Sequence, residues 1–110
     1  MAKIYFEKLN KLITQLNLDS NVLKAIEVKH FFSGAALYIN GKICASWSPS
    51  GLAFKLPQQE VNNLINDGKA IPLKYFTKGH IKQGYAVFEQ PEKKPSAYWK
   101  KYFLKAFKQI

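Results

Sequence analysis

The stretch Phe31–Pro57, FFSGAALYINGKICASWSPSGLAFKLP, decides the fold. Two turn signals, Asn40-Gly41 and Pro49-Ser50-Gly51, divide it into three short runs of strand-forming residues. Asn-Gly between such runs predicts a two-residue hairpin, because a type I′ turn needs positive φ at both central positions. The reading is a three-stranded antiparallel meander, entered at Phe31-Phe32 and left at Pro57. With a two-residue turn, Ile39 falls opposite Lys42, Tyr38 opposite Ile43 and Leu37 opposite Cys44. Opposed residues share a face. One face then carries Leu37, Ile39 and Cys44, and the other carries Ala36, Tyr38, Ile43, Ala45 and Trp47. Both are apolar, whereas a half-solvated hairpin shows one polar face. The hairpin is therefore expected to be covered on both sides, by helices or by a second subunit.

Upstream, residues 3–16 have helical period, with Tyr5, Leu9, Leu12, Ile13 and Leu16 in an arc of about 120°. After a polar break, a short helical turn at 22–25, capped by Asp19 or Ser20, leads into a strand in which Ile26, Val28, His30 and Phe32 alternate with Glu27, Lys29 and Phe31. Downstream, Pro57 stands at the natural start of a helix whose apolar face is Val61, Leu64 and Ile65, with Gly68 as its stop. Residues 70–76 and 84–89 read as two more strands, joined by the polar link Thr77–Gln83. Pro72 places the first of them at a sheet edge or near its own start. The last helix, 96–109, carries Trp99, Phe103, Ala106 and Phe107, with Ile110 following in the same spacing, on one side and Lys101, Lys105 and Lys108 on another.

At 110 residues and 47% hydrophobic, the chain suits one domain, 1–110, with a real core. Its fold class is α+β: a mainly antiparallel five- or six-stranded sheet with N-terminal, middle and C-terminal helices. One cysteine excludes an internal disulfide, and mid-strand placement makes Cys44 a small buried hydrophobe. No secretory pattern opens the chain and no apolar run nears the roughly 20 residues of a membrane span. A cytoplasmic protein without membrane partners is expected.

The net charge is +10, and every basic residue is a lysine. Lysine suits phosphate as a point charge, while reading guanine edges is mostly arginine work. The charge thus permits a polyanion partner and argues against base-specific reading. The C-terminal region is the best candidate: Lys93, Lys94, Lys100, Lys101, Lys105 and Lys108 have no acidic residue among them in sequence, and Tyr98 and Tyr102 could stack on unpaired bases. The plain alternative is the solvated side of a packed helix. His30 and His80 lack the spacing of a metal site, and no cofactor motif or phosphate loop is present. His30 is expected to be partly buried and hydrogen-bonded. Gly34 is expected to serve a turn or bulge with positive φ.

In order and spacing, these motifs resemble the N-terminal domain of the TfoX/Sxy family. Phe31-Phe32-Ser33-Gly34-Ala35-Ala36-Leu37-Tyr38 followed by Asn40-Gly41-Lys42 is similar to its Met-Phe-Gly-Gly-x-Gly, aromatic strand and Asp/Asn-Gly-Lys. Leu52-Ala53-Phe54-Lys55-Leu56-Pro57 stands at its Leu-Arg-Leu-Pro strand end. Gly79-His80-Ile81-Lys82 stands at its Gly-Arg-Pro-Met, and Trp99 and Ala106 stand on its terminal helix. The match covers roughly residues 22–108, with Ser33, Ala36 and Lys55 as departures. The resemblance implies a TfoX N-terminal-like fold, no enzyme chemistry, and a bacterial, transcription-associated role. TfoX/Sxy acts in competence-gene induction with the cyclic-AMP receptor protein as partner. The expected partners here are a second copy, making a homodimer, or another protein through a surface including Leu37, Ile39, Cys44 and His80. Nucleic acid on the lysine-rich helix is the alternative.

Overall fold

A computed structural model describes residues 2–31, 34–74 and 81–109. The N-terminal amphipathic pattern forms α1 (Ala2–Gln15), and Asp19 accepts a hydrogen bond from the Asn21 N–H to cap the short α2 (Ser20–Ala25). The meander follows as β1 (Ile26–Phe31), β2 (Gly34–Ile39), β3 (Lys42–Ser48) and β4 (Gly51–Lys55). Asn40 and Gly41 have φ of 51° and 82°, which is the geometry that the Asn-Gly pair predicts.

Pro57 is the N-cap of α3 (Gln58–Asn66), and its carbonyl accepts the first helical bond, from the Val61 N–H. Gly68, at φ +73°, ends the helix. β5 (Ile71–Lys74) and β6 (Ile81–Phe88) complete the sheet, and two 3-10 turns, Pro91–Lys93 and Ser96–Trp99, lead into α4 (Lys100–Phe107). β6 begins at Ile81, so the expected polar link gives up Ile81–Gln83 to the strand. The rest of that link, His80 included, lies outside the described residues, as do Phe32 and Ile110. Gly84 in mid-strand has φ +83°, where the β5–β6 register shifts and its N–H reaches the Gln58 side chain.

The sheet has six antiparallel strands in the order β1-β2-β3-β4-β6-β5. α1 is centred over β2 and reaches β1 and β3, α4 lies on β3 and β4, and α3 lies on β5 and β6. Side chains from all four helices join one buried cluster with Leu37, Phe54 and Phe88. The second cluster, Ala53, Leu73, Tyr85 and Val87 with Ile43 against it, contains strand residues alone. Among the described residues, helices thus cover one face of the sheet and not both.

The hairpin register departs from the simple two-residue pairing. Tyr38 faces Ile43 as expected, but Leu37 faces Ala45, leaving Cys44 as the extra residue of a β-bulge. One inserted residue moves everything beyond it to the other face. Ala45 and Trp47 therefore join Leu37 and Ile39 on the helix-covered side. The Cys44 thiol fills the irregularity and donates to the Leu37 carbonyl at 3.4 Å.

Gly34 is required for a reason other than positive φ. A Cβ there would lie 2.1 Å from the Trp47 carbonyl oxygen and 2.8 Å from the Ser48 Cα, both backbone atoms of the paired strand. Gly34→Ala should cost about 2–4 kcal/mol through forced separation of β2 and β3. Gly41→Ala meets nothing within 4 Å and loses only its turn conformation, so it should cost less. Urea denaturation of the two variants checks the order.

Candidate functional site

The lysine-aromatic surface is built by the chain between β6 and the end of α4. Gln90, at φ 53°, turns the chain out of β6, and Pro91 is buried at the start of the first 3-10 turn. The Trp99 indole N–H donates to the Pro91 carbonyl at 3.1 Å, closing the loop over its own base. Trp99, Tyr102, Phe103 and Ala106 point inward, so Lys101, Lys105 and Lys108 are left outside.

Tyr98 is half-buried and has two cations on its ring: Lys94 Nζ at 5.1 Å and Lys101 Nζ at 4.7 Å from the centroid. Lys101 is also 5.1 Å from the Tyr102 ring. Lys93 and Lys108 are exposed, and Lys100 is intermediate. The expected set is thus brought to one region, with two changes. Tyr102 is 4% exposed and sits among Phe54, Phe88 and Trp99, so it presents no face to a base. Burial first, then its hydrogen bond with Tyr98, pushes its hydroxyl up to about 12. Lys105 does have a carboxylate partner: Glu60 of α3 accepts from it at 3.0 and 3.2 Å. That pair is remote in sequence, and nothing in the pattern of α3 or α4 announces it.

A second feature escaped the sequence reading. A cleft of about 370 Å³ lies between α1 and the turns before α4, lined by Lys8, Lys11, Trp47, Glu92, Lys94 and Trp99 among others. Lys8 is ion-paired with Glu92 at 3.0 Å and lies 5.7 Å from the Trp47 ring centroid. The partners come from opposite ends of the chain, so no local motif could have marked them.

The hairpin residues expected at an interaction surface are not at one. Leu37 and Cys44 are fully buried and Ile39 is 9% exposed, all beneath the helix layer. The bulge explains this, because it puts the apolar hairpin face against α1. His80 is outside the described residues. His30 is exposed and stacks on Phe6 of α1, with ring centroids 4.7 Å apart, in place of the expected partly buried, hydrogen-bonded setting. No group of three or more His, Cys, Asp or Glu among the described residues is placed to hold a metal ion. No described helix is long and apolar enough to cross a membrane.

The family described as TfoX N-terminal domain matches residues 18–101, well over half of the chain. The chain belongs to the TfoX N-terminal domain family. No curated protein and no solved structure matches it. The match runs from Leu18 to Lys101 and so takes in the whole six-stranded TfoX N-terminal sheet, while α1 lies before it. α1 nevertheless supplies Leu9, Leu12 and Ile13 to the core on which the matched strands pack.

Cys44 can be tested directly. Burial pushes its thiol from 9.0 up to about 12, with the charge of Lys55 opposing the shift. Folding therefore favours the neutral thiol. This contribution is complete below pH 9.0 and is lost as pH rises towards about 12, at about 1.4 kcal/mol per pH unit. Tyr102 adds to the loss only above its ordinary 10.0. The decline in stability between about pH 9 and about pH 10 should thus be nearly absent in Cys44→Ala, as measured by urea unfolding at each pH.

Proposed function

We propose that this chain is a non-enzymatic regulatory domain that works in the cytoplasm through protein contacts, in bacterial transcription or competence control. The observation that carries this reading is the open sheet: four helices pack on one face, and among the described residues neither β1 nor β5 has a strand on its outer side. Family membership supports the regulatory context. The lone thiol argues against cysteine-based catalysis, because it is buried, protonated at neutral pH and committed to the bulge. Deleting the gene should change transcript levels for a defined gene set, and the chain should bind a regulator of those genes, with the cyclic-AMP receptor protein as the first candidate. Unchanged transcript levels, with no complex in titrations against that regulator, overturn the reading.

A second reading rests on one observation, the Lys94–Tyr98–Lys101 cluster with Lys93 and Lys108 nearby. It is weakly specific binding of nucleic acid through phosphate neutralisation. Because Lys105 is already paired with Glu60, the informative variant is the triple change Lys94→Glu, Lys101→Glu and Lys108→Glu. In fluorescence anisotropy with single-stranded oligonucleotides, wild-type affinity should fall steeply between about 50 and 200 mM salt. The triple variant should lose binding. Salt-independent affinity removes this reading.

A further inference from the structure

β1 is an edge strand, and its sequence is self-complementary in a way that its neighbours do not use. Among the described residues it pairs with β2 alone, with Ile26 opposite Ile39 and Lys29 opposite Ala36. The Asn40 N–H donates to the Ala25 carbonyl at 3.0 Å, one step beyond that register. In an antiparallel ladder, hydrogen-bonded and non-bonded pairs alternate. Counting on from Ala25, the main-chain groups of Glu27 and Lys29 turn inward to β2, and those of Ile26, Val28 and His30 turn outward from the sheet.

The side chains follow the complementary alternation. Glu27 and Lys29 stand on the helix-free face, in register with Ala36, Ser46, Ala53 and Val87 across the sheet. Their side chains are 67% and 55% exposed, and the two charges lie 3.6 Å apart along the strand. Val28 is half-buried on the helix side. α1 is centred one strand in from the edge, so a further strand can approach β1.

We infer that two copies of this chain pair antiparallel through β1, about a two-fold axis at Val28, so that Glu27 of each faces Lys29 of the other. Three constraints select this register. The outward main-chain groups of Ile26, Val28 and His30 can bond only to outward groups of the second copy, which permits registers centred on whole residues. A centre at Glu27 sets Glu27 against Glu27, and a centre at Lys29 sets Lys29 against Lys29. Only the centre at Val28 opposes unlike charges twice, and it does so at non-hydrogen-bonded positions, where facing side chains are closest. It also sets all three outward residues of each copy opposite one another, Ile26 with His30 and Val28 with Val28. Charged edge strands ordinarily block such pairing. Here the sign alternation reverses that effect in one register.

This inference rests on the protein-contact reading and names one partner, a second copy. Sedimentation velocity across a concentration series tests it, with circular dichroism confirming that each variant is folded. Wild type should show a reversible dimer, and hydrogen exchange should show the Ile26, Val28 and His30 amides gaining protection as the dimer forms. Glu27→Lys and Lys29→Glu should each weaken the dimer roughly tenfold or more, because both symmetric pairs become like-charged. An equal mixture of the two variants should recover a heterodimer, and the double exchange Glu27→Lys/Lys29→Glu should recover a homodimer. A monomer at every concentration overturns the inference. So does a dimer that ignores both single changes, or two weakened variants that fail to complement. If the monomeric protein still alters transcription, the edge pairing fails while the regulatory reading stands.

Discussion

Phe54 is the residue on which the rest of the arrangement depends. It stands in the middle of β4, is fully buried, and meets four aromatic rings: Phe103 at 4.8 Å, Tyr102 at 5.6 Å, and Trp99 and Phe88 at 6.0 Å between centroids. Such pairs contribute roughly 0.5–1.5 kcal/mol each beyond the area they bury. The effect is to seat α4 and the turn before it at one position on β4 and β6. Trp99 then holds the Pro91 carbonyl, and through it the path of residues 91–99. The positions of Lys94, Tyr98 and Lys101 on the surface are consequences of rings packed beneath them. A cationic surface built this way is fixed in outline by the core, although its lysine ends remain free to move.

The bulge at Cys44 has an equally wide reach. By advancing the register one residue, it turns Ala45 and Trp47 towards the helices, where Trp47 walls the cleft that Lys8 and Glu92 bridge. It also leaves the opposite face with small residues at its centre, Ala36 and Ala53, and with Tyr38 and Ile43 beside them. The two faces therefore differ in kind. One takes up all four helices, and the other carries Glu27, Lys29 and Lys55 among the described residues.

What the sequence made legible was local. The helical period of α1, the Asp19 cap, the Asn40-Gly41 turn, the Gly68 stop and the alternation of β1 each depend on a few neighbouring residues, and each stands in the fold where its pattern puts it. The hairpin register was not legible. Cys44 and Ala45 are both small and apolar, so the sequence offers no contrast that says which of them is extra. Tyr102 departs from the expected lysine side because a helix seen alone gives the direction of its apolar arc better than its width. The arc proves wide enough to take in Tyr102, since Phe54 and Phe88 offer rings on that side. Glu60 with Lys105, and Lys8 with Glu92, join residues far apart in the chain, and charge pairing at such range leaves no periodic trace.

The distribution of charge connects these features. A chain of net charge +10 should resist self-association, because like charge opposes the approach of two copies. Yet the excess is not uniform. It gathers between Lys93 and Lys108, over β3 and β4, while β1 at the sheet edge carries one glutamate and one lysine in Ile26–His30 and is neutral there. A two-fold axis through an antiparallel strand pair runs perpendicular to the sheet, so both helix layers come to lie on the same side. The two Lys94–Tyr98–Lys101 surfaces would then share that side, separated by the strands between β1 and β4. Neutrality at the edge and positive charge two to three strands inward are what such an assembly requires, because the contact then escapes the repulsion.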